Sequence, residues 1–239
     1  MYQSNQKFNI FLSLAVVLVL LGTGIVAYDY WQSKNSQPAN TVNNVVLSDI
    51  DNNLTAQEKG IYETRLAEGQ KMWNEFNEDQ GTSLDKFKIK MYIGAQYFGL
   101  GKLDLAKQFY LEAAELKNDE IGPYTSLYTV YITAKEHNLA KQAIKQGLDI
   151  DPGNFDAWLK YITLEQEKLN AGKDFVKSLY IEALQKTSSR SEVLVAYARF
   201  LENSGELGLA ITEWQEVLKQ EPDNELYKQE LARLIEKNK

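Results

Sequence analysis

Gly94-Ala95-Gln96-Tyr97-Phe98-Gly99-Leu100-Gly101-Lys102-Leu103-Asp104-Leu105-Ala106-Lys107-Gln108-Phe109-Tyr110-Leu111-Glu112-Ala113 is the first of four similar stretches. Within it a small residue, Ala106, precedes a large one, Tyr110, by one helical turn, and a second small residue, Ala113, follows. The pattern recurs as Ala140, Ile144, Gly147; Val176, Tyr180, Ala183; and Ala210, Trp214, Val217, at intervals of 34, 36 and 34 residues. Five residues beyond each triplet stand Asn118, Pro152, Ser188 and Pro222. The two prolines mark where a helix stops, because proline lacks the N–H that would continue it. Small residues such as Gly94 and Ala106, or Ala198 and Ala210, let two antiparallel helices approach closely. The large residues fill the space between one pair and the next. One pair cannot bury its apolar face alone, so stacking creates the core.

Four such units in a row resemble the tetratricopeptide repeat family. The first, 87–120, carries Gly94, Tyr97, Gly101, Ala106, Tyr110 and Ala113 at signature positions. The second, 121–154, carries Leu127, Tyr131, Ala140 and Pro152, and the third, 155–190, carries Trp158, Tyr180 and Ala183. The fourth, 191–224, carries Tyr197, Ala198, Gly205, Ala210, Trp214 and Pro222. The resemblance implies an all-α solenoid of about four helix-turn-helix repeats. Tyr128 and Ile162 occupy the early small position in the middle repeats, which predicts wider or shifted pairs there. The third repeat's two extra residues are expected around Asn170-Ala171-Gly172.

Outward from the array, residues 55–86 form a further helical segment. Thr55-Ala56-Gln57-Glu58 has the capping-box form, and Tyr62, Leu66, Trp73 and Phe76 share one helical face. Ser83 is the expected cap of the next helix. At the other end, residues 225–239 read as a capping helix opened by Asp223 or Asn224, with Leu226, Tyr227, Leu231, Leu234 and Ile235 as its apolar side.

From Phe8 to Tyr28 no residue is charged. At 1.5 Å per residue this run makes a helix about 30 Å long, the thickness of a bilayer core. The Leu, Ile, Val and Phe residues between Ile10 and Ala27 favour insertion by about 4–7 kcal/mol. Residues 8–31 are therefore read as a transmembrane helix with Ile10, Leu14, Leu18, Leu21 and Ile25 in the span, and Tyr28, Tyr30 and Trp31 as an aromatic belt. A cleaved signal peptide is the alternative, but its apolar region would be shorter, and the one plausible cleavage site here has Ile25 and Ala27 at the key positions, with Ile25 where a small residue belongs. Lys7 before the span places residues 1–7 in the cytoplasm and the bulk outside it. Residues 32–54, polar and Asn-rich, read as a flexible linker.

The chain of 239 residues has a formal net charge of −7, one His and no Cys. Disulfides, thiolate metal sites and Cys nucleophiles are excluded, and a multi-histidine metal site is impossible. An acidic chain with interspersed Lys and Arg disfavours nucleic acid. His137 lies at a predicted turn without a nucleophile elbow, and no phosphate-binding glycine loop occurs. No enzymatic role, cofactor or small-molecule substrate is expected. The resemblance implies that first helices line a groove for protein or peptide segments. The family's groove positions fall on Met91, Tyr92 and Phe98, then Thr125, Thr129 and Ile132, then Leu159 and Thr163, then Arg199. The Lys/Asn/Arg set with which one subfamily grips a terminal carboxylate is not in register. The expected function is a single-pass, membrane-anchored scaffold on the envelope side of a bacterial inner membrane, contacting lipid through one helix. The alternative is a structural subunit built permanently into a larger membrane complex.

Overall fold

The computed structural model describes residues 45–76 and 81–239. Residues Leu47–Lys239 form one compact unit, the second of two into which the chain divides. The expected span, with Ile10, Leu14, Leu18, Leu21 and Ile25, lies outside the described residues, as does the linker up to residue 44. Among the described residues no helix is long and apolar enough to cross a membrane.

The second unit is all-α. Its helices are α1 (Ala56–Asn74), α2 (Ser83–Gly99), α3 (Leu103–Leu116), α4 (Gly122–Thr133), α5 (His137–Ile150), α6 (Phe155–Glu167), α7 (Lys173–Lys186), α8 (Ser191–Asn203), α9 (Leu207–Gln220) and α10 (Glu225–Lys237). Helices α2/α3, α4/α5, α6/α7 and α8/α9 are the four pairs the spacing predicts, each packed on the next. Three of the four intra-pair turns have three residues, while 168–172 has five, so the two extra residues fall at the expected turn.

The short turns close by one mechanism. Lys102 N–H donates to Tyr97 O and Gly101 N–H to Phe98 O; Glu136 and Lys135 repeat this on Tyr131 and Ile132, Glu206 and Gly205 on Leu201 and Glu202. This double bond pattern requires a left-handed residue, supplied by Gly101 (φ 75°), Lys135 (φ 63°) and Gly205 (φ 83°). The third turn lacks it and folds back through Ala171 N–H to Glu165 O.

The predicted packing residues form the core. Ala106, Ala113, Ala140, Ile144, Ala183, Ala210 and Val217 have no exposed surface. A methyl group at Gly94 would lie 2.9 Å from the Tyr110 ring, so only glycine allows this approach of α2 and α3. Between repeats, the Tyr180 ring lies 5.2 Å from Tyr197 and 5.3 Å from Phe200, and Trp214 lies 5.4 Å from Tyr227 of α10. The second repeat stays tight despite Tyr128, whose hydroxyl donates to Lys160 O at 3.2 Å. The third repeat is looser, its two helices packing less closely than those of the other pairs.

Three boundaries differ from the sequence reading. Thr82, not Ser83, caps α2, in a capping box with Asp85. Helix α2 begins at Ser83, so the boundary expected at residue 87 falls inside it. The end of the expected linker is also docked. Ile50 N–H donates to Gly101 O at 3.0 Å, and Leu47 N–H to Asp104 at 3.1 Å. Asn52 donates to Phe98 O and Gly99 O, and Lys102 pairs with Asp49 at 2.7 Å. Backbone groups at a helix end need partners, and residues 47–52 supply them to α2.

A methyl at Gly101 would meet Ile50 O at 2.1 Å, whereas one at Gly205 meets nothing within 4 Å. Gly101→Ala is therefore expected to cost about 1–2 kcal/mol for its positive φ and also to displace the strap. Gly205→Ala should carry only the first cost. Faster hydrogen exchange at the Ile50 amide in Gly101→Ala, but not in Gly205→Ala, is the expected readout.

Candidate functional site

The first helices of the repeats lie side by side. Met91 Cε lies 3.7 Å from where a methyl on Gly122 would stand, linking α2 to α4. Tyr128 links α4 to α6, and α6 touches α8. Arg233 of α10 forks onto Glu202 of α8 with two bonds of 2.8 Å. The shared period therefore aligns equivalent positions in rows across the helices.

One row is exposed throughout: Ala95, Thr129, Thr163, Arg199 and Arg233, at intervals of 34, 34, 36 and 34 residues. It is flanked by half-buried Met91, Thr125, Leu159 and Val195 on one side. On the other side run Phe98, Ile132 and Glu202, half-buried, with Gln166 exposed. The candidate residues Met91, Phe98, Thr125, Thr129, Ile132, Leu159, Thr163 and Arg199 thus fall together on one face. Its character changes along the row, from methyl through hydroxyl to guanidinium.

Two details alter the expected face. Tyr92 is packed by α1: a methyl at Gly69 would lie 3.0 Å from its ring, and its hydroxyl reaches Glu68. Thr129 and Thr125 also donate their hydroxyls to their own helix, at Thr125 O and Gly122 O. They keep acceptor lone pairs for a ligand but have already placed their protons.

Helix α1 runs antiparallel to α2, so that Tyr62 meets Gly99, Gly69 meets Ile93 and Trp73 meets Lys90. The Lys90 ammonium sits 3.7 Å from the Trp73 ring centre and 4.8 Å from that of Phe109, and pairs with Glu112 at 2.5 Å. Sequence reasoning missed this clamp, because its members come from three helices.

The far end of the face is held by charge. Glu202, its side chain 14% exposed, accepts from Arg233 and from Lys237 at 3.0 Å. The Arg233 fork, then Lys237, outweigh burial and hold this carboxyl at about 2. A depressed carboxylate stabilises the fold fully above its unfolded pKa and loses that contribution as pH falls through the folded value. The docking of α10 should therefore weaken between about pH 4.5 and 2 and not between pH 5 and 8. In Glu202→Gln this pH-dependent part, roughly 1–2 kcal/mol, should vanish from acid titrations followed by circular dichroism. The sequence signal for Arg233 was its offset of 34 from Arg199.

On the other side, a cleft of about 500 Å³ opens between α5 and α7, lined by Lys141, Leu148, Trp158, Tyr161, Phe175 and Leu179 among others. Lys141 of this lining pairs at 2.5 Å with Glu165, whose side chain is 4% exposed. Glu165 stands where the other repeats carry Tyr97, Tyr131 and Leu201. His137 opens α5 at a turn, as expected. Among the described residues no group of three or more acidic or imidazole side chains is placed to hold a metal ion.

The comparisons agree with this architecture. Residues 93–120 match the family described as tetratricopeptide repeat. The fold is an all-α repeat solenoid of tetratricopeptide type. It is similar to the structure of PilF from Pseudomonas aeruginosa, with 20% identity and a TM-score of 0.50, over 65% of this chain and 70% of that one. It is similar also to the crystal structure of MamA, with 14% identity and a TM-score of 0.51, over 72% of this chain and 96% of that one. No curated protein matches the sequence.

Proposed function

We propose that this protein is a scaffold that docks protein or peptide segments on the face formed by its first helices. The observation that carries the reading is the exposed row Ala95, Thr129, Thr163 and Arg199, continuous across four helices, with half-buried apolar Met91, Phe98, Ile132, Leu159 and Val195 beside it. An extended segment laid across it meets apolar contact from Met91, Phe98, Ile132 and Leu159, acceptor oxygens from Thr129 and Thr163, and a guanidinium at Arg199. Apolar anchors with a few placed polar groups are the usual composition of a recognition surface.

A photo-reactive residue placed in cells at Thr129 or Thr163 tests it. Both sites should yield the same protein adducts, and a probe at Leu209, exposed on α9, should not. No adduct at the two threonines, or equal adducts at Leu209, would sink the reading.

We further propose that residues 8–31 anchor the scaffold in a bacterial inner membrane, with the repeats on the envelope side. The uncharged run Phe8–Tyr28 and Lys7 preceding it support this. The protein should resist alkaline carbonate extraction, and a reporter fused after Lys239 should be active only outside the cytoplasm. Release by carbonate, or a reporter active only in the cytoplasm, counts against the anchor or its orientation respectively.

A further inference from the structure

The second helices of the four pairs share a feature that packing does not use. The third residue of each is apolar: Leu105, Leu139, Phe175 and Leu209, at intervals of 34, 36 and 34 residues. Leu105 is 38% exposed, Phe175 and Leu209 are 46% exposed, and Leu139 is half-buried. Single exposed apolar side chains are ordinary, but here one repeat position is apolar in every pair. Three residues on, about 4.5 Å further along each helix and on the same side, stand Gln108, Gln142, Ser178 and Thr212. The apolar character of this side is confined to one level, the start of each second helix.

That level is one edge of the array. Successive helices joined by short connections run antiparallel, so the four intra-pair turns share an edge and the loops between pairs lie at the other. Charge divides the same way. Over the turns and the first two residues of the helices that follow, Lys102, Lys135, Lys168 and Lys173 balance Asp104, Glu136, Asp174 and Glu206. Over the four loops and the first two residues beyond them, carboxylates from Asp119 to Glu225 outnumber the cations Lys117 and Arg190 by eight to two. The strap adds Asp49 and Asp51 to the turn edge, which still leaves it far less acidic than the other. The second unit also begins at the turn edge. Leu47, 5% exposed, donates its N–H to the Asp104 carboxylate, one residue before Leu105, and Ile50 N–H donates to Gly101 O. Fifteen residues, 32–46, separate Leu47 from Trp31, and they reach at most about 50 Å whatever their conformation.

We propose that the turn edge of the array rests on the bilayer surface, with Leu105, Leu139, Phe175 and Leu209 in contact with lipid. The proposal rests on the membrane anchor at residues 8–31. With that segment in the membrane, the bilayer is the apolar phase held nearest this edge, and the docked strap fixes which edge is offered to it. A level of apolar side chains bordered by polar ones is the composition of a surface that meets a membrane. Its intrinsic affinity can be low, because a tethered second contact forms at high effective concentration. The near-balance of charge leaves apolar contact to decide, and the acidic loops are turned away from anionic headgroups.

The test uses the full chain in vesicles of phosphatidylcholine and phosphatidylglycerol, some lipids carrying a nitroxide quencher just below the headgroup. The chain has no Cys, so one introduced cysteine carries one fluorophore. Asn138→Cys and Gly208→Cys place it beside the apolar row without altering the row, and a Cβ at Gly208 meets nothing within 4 Å. Asp223→Cys places it at the other edge. Emission from the first two should be blue-shifted and quenched several-fold more strongly than from Asp223→Cys. Both effects should persist in high salt, which screens charge but not apolar contact. Replacing Leu105, Phe175 and Leu209 together by Ser should lower quenching at Asn138→Cys to the level of Asp223→Cys. All three side chains are exposed, and circular dichroism checks that the fold survives. Alkaline carbonate applied to the same vesicles separates this proposal from the anchor. Release of the protein ends both, whereas retention with equal quenching at the two edges ends this one alone. A blue shift without lipid quenching, rising with protein density, would assign the row to a second copy and also overturns the proposal.

Discussion

Trp214→Ala is expected to cost about 3–5 kcal/mol, the usual range for emptying a buried tryptophan site. Trp214 is 1% exposed and lies between α9 and the Tyr227 ring of α10. In a solenoid each repeat contacts only its neighbours, so the loss should be felt first at the end nearest the substitution. Amides of α10 and α9 should exchange at rates approaching the unfolded limit while those of α2 and α3 change little. The indole N–H of Trp214 has no hydrogen-bond partner among the described residues. Removing an unpaired buried donor recovers its desolvation cost, on the order of 1–3 kcal/mol. Trp214→Phe should therefore retain most of the stability that Trp214→Ala loses. Equal losses in the two variants, measured by urea unfolding, would show that ring volume does not hold this end together.

Lys141→Met is expected to destabilise the third repeat by about 3 kcal/mol, because it strands a buried charge. Glu165 is enclosed and Lys141 is its ion-pair partner, while Lys141 itself keeps a third of its side chain in water. The asymmetry gives a sharper expectation for the partner. Glu165→Leu installs the residue that the fourth repeat carries at this place, Leu201, and leaves Lys141 solvated. Combining the two substitutions should restore wild-type stability or exceed it by about 1–4 kcal/mol, since well-packed apolar groups often outperform a buried ion pair. A double variant as unstable as Lys141→Met would mean that the pair contributes net stability. A stable double variant would mean that the carboxylate is retained for something other than folding, and the neighbouring cleft is where to look.

The face formed by the first helices was largely legible beforehand. Thr129, Thr163 and Arg199 could be placed because a constant period carries one position onto the next, whatever the details of packing. Tyr92 shows where this stops. It occupies a groove position by spacing, yet α1 packs on it. That contact leaves no trace within the repeat itself. The linker's end failed for a related reason. Residues 47–52 look like tether by composition, but the carbonyls at the end of α2 and the Asp104 carboxylate recruit them.

The sequence by itself determined that the chain repeats, how many helix pairs it builds, where each turn falls and which small and large residues form the core. Those features depend on helical period, proline and glycine placement, and nearest-neighbour stacking, all written within about one repeat length. Tertiary structure alone decided the strap on Gly101, the Lys90 clamp, the Glu165–Lys141 pair and the Glu202–Arg233 fork. Each joins groups from separate helices or separate turns, and a pattern that repeats along the chain cannot say which charge will meet which across it.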